Sequence, residues 1–220
     1  MYIIKKTGAA GRRSRENLLF REAVLPGAKL WTFDDIYGII QGNIDAEAGC
    51  VIILGIDPGV GIVGYGALSV GRGAGMGHIS AIGHGVITTP PNTDICIRLE
   101  EIYSDMLTLA DKFHPDAAAV EELFFVNNTT TGIPVAEARG VILLALTRKK
   151  IPVFEYTPMQ VKTALTGYGK ATKKQMMDQV TLRLGLSETP RPDDAADALA
   201  IAMCHAFTSA GSMTSFRRGI

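Results

Sequence analysis

The sequence predicts an α/β fold in which helices flank a mixed five-stranded sheet. Two observations carry that expectation. Three apolar, glycine-punctuated segments, residues 51–56, 61–70 and 78–88, follow one another before any convincing helix. Downstream, runs with helical apolar spacing alternate with short β-branched ones. Connections as short as those between the first three strands suit an antiparallel meander.

The elements then follow in order. Residues 95–113 form a helix whose apolar face is supplied by Ile97, Leu99, Ile102, Met106, Leu107 and Leu109. A strand at 117–120, a helix at 135–148 and a strand at 151–155 come next, and helices at 159–165, 173–184 and 194–207 close the chain. The order reads β-β-β-α-β-α-β-α-α-α. Such a sheet gathers the ends of the first and fourth strands, and the last helix passes over them.

Composition bounds the function class. A chain of 220 residues, 47% hydrophobic and 20% charged, suffices for one well-buried α/β domain and is too short for two large ones. No apolar run reaches the length of a membrane span, and the longest, around residues 140–146, is soon followed by Arg148, Lys149 and Lys150. The N-terminus carries lysines but no apolar signal-peptide core. Cys50, Cys96 and Cys204 are odd in number and widely spaced, which supports neither a disulfide framework nor a zinc site and fits a reducing cytoplasm. The formal net charge is zero, yet residues 156–177 hold Lys162, Lys170, Lys173 and Lys174 and no acid. Read alone, that run is a solvated helical face.

Carboxylates stand at suggestive places. Asp194 and Asp197 are three apart in a stretch of helix formers that Asp193 or Asp194 caps, so both share one face a turn apart. Two readings are open: first-turn acids complementing the helix dipole, or hard oxygen ligands for Mg²⁺ or Mn²⁺ and hence phosphate-ester chemistry. Asp57 ends a buried strand at Asp57-Pro58-Gly59, and Glu121-Glu122 end another. Each alone reads as a turn or a solvated strand end. Together they place carboxylates at two strand ends and one helix start.

The segments Ile53-Leu54-Gly55-Ile56-Asp57-Pro58-Gly59, Gly64-Tyr65-Gly66, Val120-Glu121-Glu122-Leu123-Phe124, Glu137-Ala138-Arg139-Gly140, Gln160-Val161-Lys162 and Asp194-Ala195-Ala196-Asp197-Ala198-Leu199-Ala200 occur in order. This ordered set resembles the RuvC family of bacterial Holliday junction resolvases, over about three quarters of the chain. The resemblance implies a ribonuclease H-like fold and a structure-selective, Mg-dependent crossover junction endodeoxyribonuclease. Paired phosphodiester hydrolysis in recombination and repair would leave 5′-phosphate and 3′-hydroxyl ends. It also implies two Mg²⁺ ions per site, replaceable by Mn²⁺, on positions matching Asp57, Glu121, Asp194 and Asp197, with Glu122 incidental. Lys162 and Lys173 match lysines that contact the junction backbone near the scissile phosphate, Lys162 as a catalytic group. Lys170 and Lys174 are local additions to that DNA-binding set, and Phe124 matches an aromatic that stacks on bases at the branch point. The partners implied are a four-way DNA junction, a second copy in a homodimer and the branch-migration proteins RuvA and RuvB. The implied location is the cytoplasm.

Other segments keep two readings. Residues 1–50 lie outside the resemblance and carry seven Lys and Arg against six acids. They read as a basic arm, or as an extension before the true start, since a valine codon at Val51 used as initiator gives a chain of family length. Residues 51–210 form the nuclease domain and 211–220 a tail. The polar stretch 127–132 reads as a loop near DNA, His205 as a structural side chain, and Tyr168 between two glycines as a DNA contact or a turn cap. An actin-like or sugar-kinase-like ATPase shares Gly-Ile-Asp-x-Gly at residues 55–59 but needs a second domain and a second phosphate loop. A non-cleaving junction binder has no need of four carboxylates. Another ribonuclease H-like nuclease differs only in the ordered motifs.

Overall fold

In the computed structural model, residues 2–3, 50–71, 78–123 and 129–209 are described. Strands β1 (Tyr2–Ile3), β2 (Cys50–Asp57), β3 (Ile62–Gly71) and β4 (Ile79–Thr88) precede helix α1 (Ile95–Phe113). Then come β5 (Ala117–Glu121), α2 (Thr129–Arg148), β6 (Val153–Tyr156), α3 (Pro158–Thr166), α4 (Lys173–Arg183) and α5 (Asp193–Ser209). The sheet runs β1-β4-β3-β2-β5-β6. The meander is antiparallel through β2, β3 and β4, while β2, β5 and β6 are parallel, so the sheet is mixed as the sequence predicts. Tyr2–Ile3 adds a sixth, two-residue edge strand, parallel to β4, that the sequence did not signal.

Strand periodicity divides the core into two layers. In β2, Ile52, Leu54 and Ile56 face a cluster with Ile102, Met106 and Phe113 of α1 and Ile142 and Leu146 of α2. Ile53 faces the opposite cluster, where Leu199, Ile201 and Met203 of α5 meet Val161 and Leu165 of α3 and Val180 of α4. Both faces of β2 are therefore buried, which is why it reads as a continuous apolar run rather than an alternating one.

Helix ends follow local chemistry. The Asp94 side chain accepts the Cys96 N–H and starts α1, and His114 closes it with φ 45°. Thr157 with Gln160 and Thr172 with Gln175 form reciprocal capping boxes for α3 and α4. Helix α5 has Asp193 and Asp194 inside its first turn, after Pro192, rather than at the cap position expected from sequence.

Three further expectations are corrected. Ile97, assigned to the apolar face of α1, is 49% exposed, while Phe113 at the other end is buried. Helix α2 starts at Thr129, so residues 129–132 are helical rather than loop, and the helix begins six residues before the expected 135, with Pro134 inside it. Strand β6 starts at Val153 because Ile151 still closes α2: Lys150 takes φ 58° and the Ile151 N–H donates to the Leu146 carbonyl. Phe124, residues 127–128, the leading segment 4–49 and the tail 211–220 lie outside the described residues.

Candidate active site

Two carboxylates meet because of strand register. Strands β2 and β5 are parallel, with Ile56 beside Val120, so the residues that follow, Asp57 and Glu121, stand next to each other at the strand ends. Their spacing is that of neighbouring strands, about 4.8 Å. Side chains alternate along a strand, so Asp57 shares the face of Ile53 and Glu121 that of Ala119, both toward α5.

Helix α5 supplies the other two through an unusually close approach. A Cβ on Gly55 would lie 2.1 Å from the Ala198 carbonyl oxygen, and one on Gly64 would lie 2.0 Å from that of Asp194. On Gly66 it would meet Leu199 at 2.8 Å. Gly55 pairs with Gly66 and Asp57 with Gly64 in the hairpin, so these glycines form one bare strip on which the helix lies. The small residues of α5 complete the fit: Ala195, Ala196, Ala198, Ala200, Ala202 and Ala206 are all buried.

The result is a cleft of about 180 Å³ lined by Asp57, Glu121, Asp197, Lys162 and Lys173, with Val161, Met176 and Ile201 as its apolar wall. Asp194 is not in the lining, but its charge acts on both Asp57 and Asp197. Burial pushes the Asp57 carboxyl up to about 8, helped by the charges of Glu121, Asp197 and Asp194 and opposed by Lys173. Burial and the Asp197 charge likewise raise Glu121, against Lys162 and Lys173. Burial also raises Asp197, against its hydrogen bond from Lys173. Crowded carboxylates that resist ionisation mark a place where positive charge is wanted.

Lysine partly meets that need. The Lys173 ammonium lies 3.0 Å from Asp197 Oδ2 and 3.5 Å from Asp193 Oδ2. Burial works to lower the Lys173 pKa, but the hydrogen bond and charges of these two aspartates outweigh it and hold it high. Among the described residues, no group of three or more His, Cys, Asp or Glu closes tightly enough to hold a metal. The donor set still suits one: hard carboxylate oxygens, mutually repelling and half-desolvated, are the chemistry Mg²⁺ and Mn²⁺ select. Lys162 reaches the cleft from α3. Lys170 and Lys174 are exposed and stand outside the lining.

Supporting residues that sequence reasoning missed surround the strand ends. Arg139 Nε donates to the Glu121 carbonyl at 3.3 Å while its Nη2 pairs with Glu155 of β6. Arg139 belonged to a recognised motif, but nothing in one sequence told what it touches. Thr89 and Arg98 hold the turn after Asp57. His205 is structural, as expected: it is buried, takes a 2.7 Å hydrogen bond with the Tyr156 hydroxyl at Nδ1 and packs on Phe154. Tyr168 is 60% exposed, on a turn where its N–H donates to Thr166 Oγ1.

With this geometry in hand, comparison with known proteins is direct. The family profile "Crossover junction endodeoxyribonuclease RuvC" matches residues 53–205. The chain belongs to the RuvC family. Crossover junction endodeoxyribonuclease RuvC of Thermotoga maritima is 55% identical over 161 residues, covering 73% of this chain and 94% of that relative. RuvC of Chloroflexus aurantiacus is 49% identical over 156 residues, covering 71% and 93%. Among solved structures, Thermus thermophilus RuvC superposes with a TM-score of 0.68 at 38% identity, covering 74% of this chain and 97% of that one. Thermus thermophilus RuvC in complex with Holliday junction substrate gives 0.66 at 35% identity, covering 73% and 96%. The yeast mitochondrial Holliday junction resolvase Ydc2, at 14% identity and 0.56, shares the fold. The fold of this RuvC-family chain is ribonuclease H-like.

Proposed function

We propose that this chain is a structure-selective endonuclease that resolves four-way DNA junctions by metal-dependent phosphodiester hydrolysis, leaving 5′-phosphate and 3′-hydroxyl ends. The observation that carries the reading is the gathering of Asp57, Glu121 and Asp197 in one cleft of a RuvC-family chain, with Asp194 beside them. Two Mg²⁺ ions, with Mn²⁺ as a substitute, are the proposed cofactors, and the four carboxylates would hold them. When bound, the ions supply an activated water and neutralise charge on the leaving 3′ oxygen.

The chain's own residues perform the rest. Asp57, at the end of a strand whose preceding residues are buried, would be the position to which the others converge. Lys162 offers positive charge where the phosphate gains negative charge, in a cleft whose apolar wall strengthens that interaction. Lys173, paired here with Asp197, would be free to offer its ammonium to the DNA backbone if cations took over that carboxylate. Lys170 and Lys174 add exposed charge along the same path, and Phe124 stacks on a base at the branch point.

A four-way junction has twofold-related strands, so a homodimer matches the substrate's symmetry. RuvA and RuvB remain the partners that family membership suggests, and the cytoplasm the compartment. No helix among the described residues is long and apolar enough to cross a membrane.

The test is cleavage of a four-way junction compared with duplex, fork and RNA/DNA hybrid in Mg²⁺. Selective, paired nicking of the junction, abolished in Asp57→Asn with binding kept, is the expected outcome. Equal cutting of all four substrates would remove the junction assignment, and an unaltered rate for Asp57→Asn would remove the metal assignment.

A further inference from the structure

Thr89, the residue after β4, is a buried hub, 7% exposed. Its Oγ1 donates to the Val60 carbonyl at 2.6 Å and accepts from Arg98 Nε at 2.8 Å, and its N–H donates to the Gly61 carbonyl at 3.1 Å. The turn that follows Asp57 is thereby tied to the end of β4 and to the first turns of α1. Arg98 Nη2 lies beside Gly61, 3.4 Å from where a Cβ there would stand.

The chemistry exceeds what a clamp requires. One N–H donor satisfies the Thr89 hydroxyl, whereas a guanidinium brings five together with a permanent charge. Among the described residues no carboxylate pairs with Arg98, in contrast to Arg139, whose charge is answered by Glu155. Arg98 is thus a half-buried cation fixed at Nε with its Nη fork free for a ligand of opposite charge.

Its place in the sheet says which ligand. Strands β2 and β4 both run antiparallel to β3, so the ends that carry Asp57 and Thr89 point the same way. They are two strand spacings apart, about 10 Å. The cleft lysines Lys162 and Lys173 come from α3 and α4, which follow β6 on the opposite side of Asp57. Positive charge therefore flanks the carboxylates on both sides along the sheet end.

We propose that Arg98 is a second phosphate site: it binds a non-scissile phosphodiester of the DNA strand being cut, on the β4 side of the carboxylates. At 3.4 Å of rise per nucleotide, about 10 Å places that phosphate within about three nucleotides of the cut. The fork geometry suits two phosphate oxygens. Because the same side chain steadies the turn after Asp57, strand engagement and placement of that carboxylate are coupled. The inference rests on the nuclease reading above.

The experiment walks a single neutral methylphosphonate along the cut strand of a four-way junction and measures equilibrium binding without divalent metal, for the unaltered protein and Arg98→Gln. For the unaltered protein, one position within about three nucleotides should lose roughly tenfold in affinity. Arg98→Gln should show that loss on the unmodified junction and no further loss at that position, while other positions keep their sensitivity. Arg98→Lys, which keeps the charge without the fork, should recover part of the affinity and serves if the glutamine variant does not fold. Identical position profiles for the unaltered and variant proteins, with junction cleavage by the unaltered protein intact, would overturn the phosphate site alone. Failure of the unaltered protein to cut junctions would instead overturn the nuclease reading.

Discussion

The backbone of Gly64 lies directly against the backbone of Asp194, so close that a Cβ on the glycine would come within 2.0 Å of the Asp194 carbonyl oxygen. No side-chain rearrangement relieves such a contact, because both sides are main chain. Gly64→Ala must lift the start of α5 away from β3 and carry Asp194 and Asp197 with it. Overpacking of this kind costs about 1–3 kcal/mol, and cleavage should fall by more than the loss of folded protein explains. Gly71→Ala is the control, since its nearest neighbour stands at 3.6 Å, an ordinary contact. Melting temperatures and single-turnover rates of the two variants check this; equal rates would mean the helix position is not critical.

Asp57 makes metal-free stability depend on pH. Its folded carboxyl sits at about 8, raised first by burial and then by Glu121, Asp197 and Asp194, against 3.8 for an ordinary aspartate. Between about pH 4 and 8 the folded chain keeps a proton that the unfolded chain has released, so stability falls as pH rises through that window. Asp57→Asn removes the effect. In chelator, the variant should gain stability over the unaltered protein progressively from pH 5 to pH 8, and Mg²⁺ should stabilise the unaltered protein more than the variant. Parallel pH profiles of melting temperature for the two would contradict the burial argument.

The lysines separate by place. Lys162 lines the cleft and acts on Glu121, whereas Lys170 and Lys174 are exposed and outside it. Lys162→Ala should depress single-turnover cleavage more than binding, and saturating junction should not restore the rate. Lys170→Ala/Lys174→Ala should weaken binding, flatten the slope of log K against log salt by roughly 0.9 per lost phosphate contact, and recover most of its rate at saturation. Full rescue of Lys162→Ala at saturation would reduce Lys162 to another backbone contact.

Arg139 steadies Glu121 from behind, through the carbonyl rather than the carboxylate. Its pairing with Glu155, a half-exposed side chain, contributes at most about 1 kcal/mol on its own. The larger consequence is for position: Arg139→Ala should raise the Mg²⁺ concentration needed for half-maximal cleavage several-fold, with metal-free junction binding unchanged. Glu155→Gln should show a smaller effect in the same direction. A Mg²⁺ titration that superposes on that of the unaltered protein would show that the end of β5 holds itself.

By itself the sequence determined the order of elements from β2 onward and most helix spans to within a few residues, whereas the set of four carboxylates came from the family resemblance. Apolar spacing, capping residues and the Asp57-Pro58-Gly59 turn are local signals, read over a few residues. It failed where a local signal misled: Ile97 fits the periodicity of α1 yet is exposed, and the polar stretch 127–132 reads as a loop although residues 129–132 are helical. Only the tertiary structure decided that Asp57 stands beside Glu121, because parallel register between β2 and β5 is set by contacts some sixty residues apart. Only it showed why Gly55, Gly64 and Gly66 have no side chains: the space a Cβ would fill belongs to α5, and no property of the hairpin alone requires it to be empty. The pairing of Lys173 with Asp197 has the same origin. A charged side chain's partner depends on where the chain folds back, and that is a property of long-range packing rather than of spacing along the sequence.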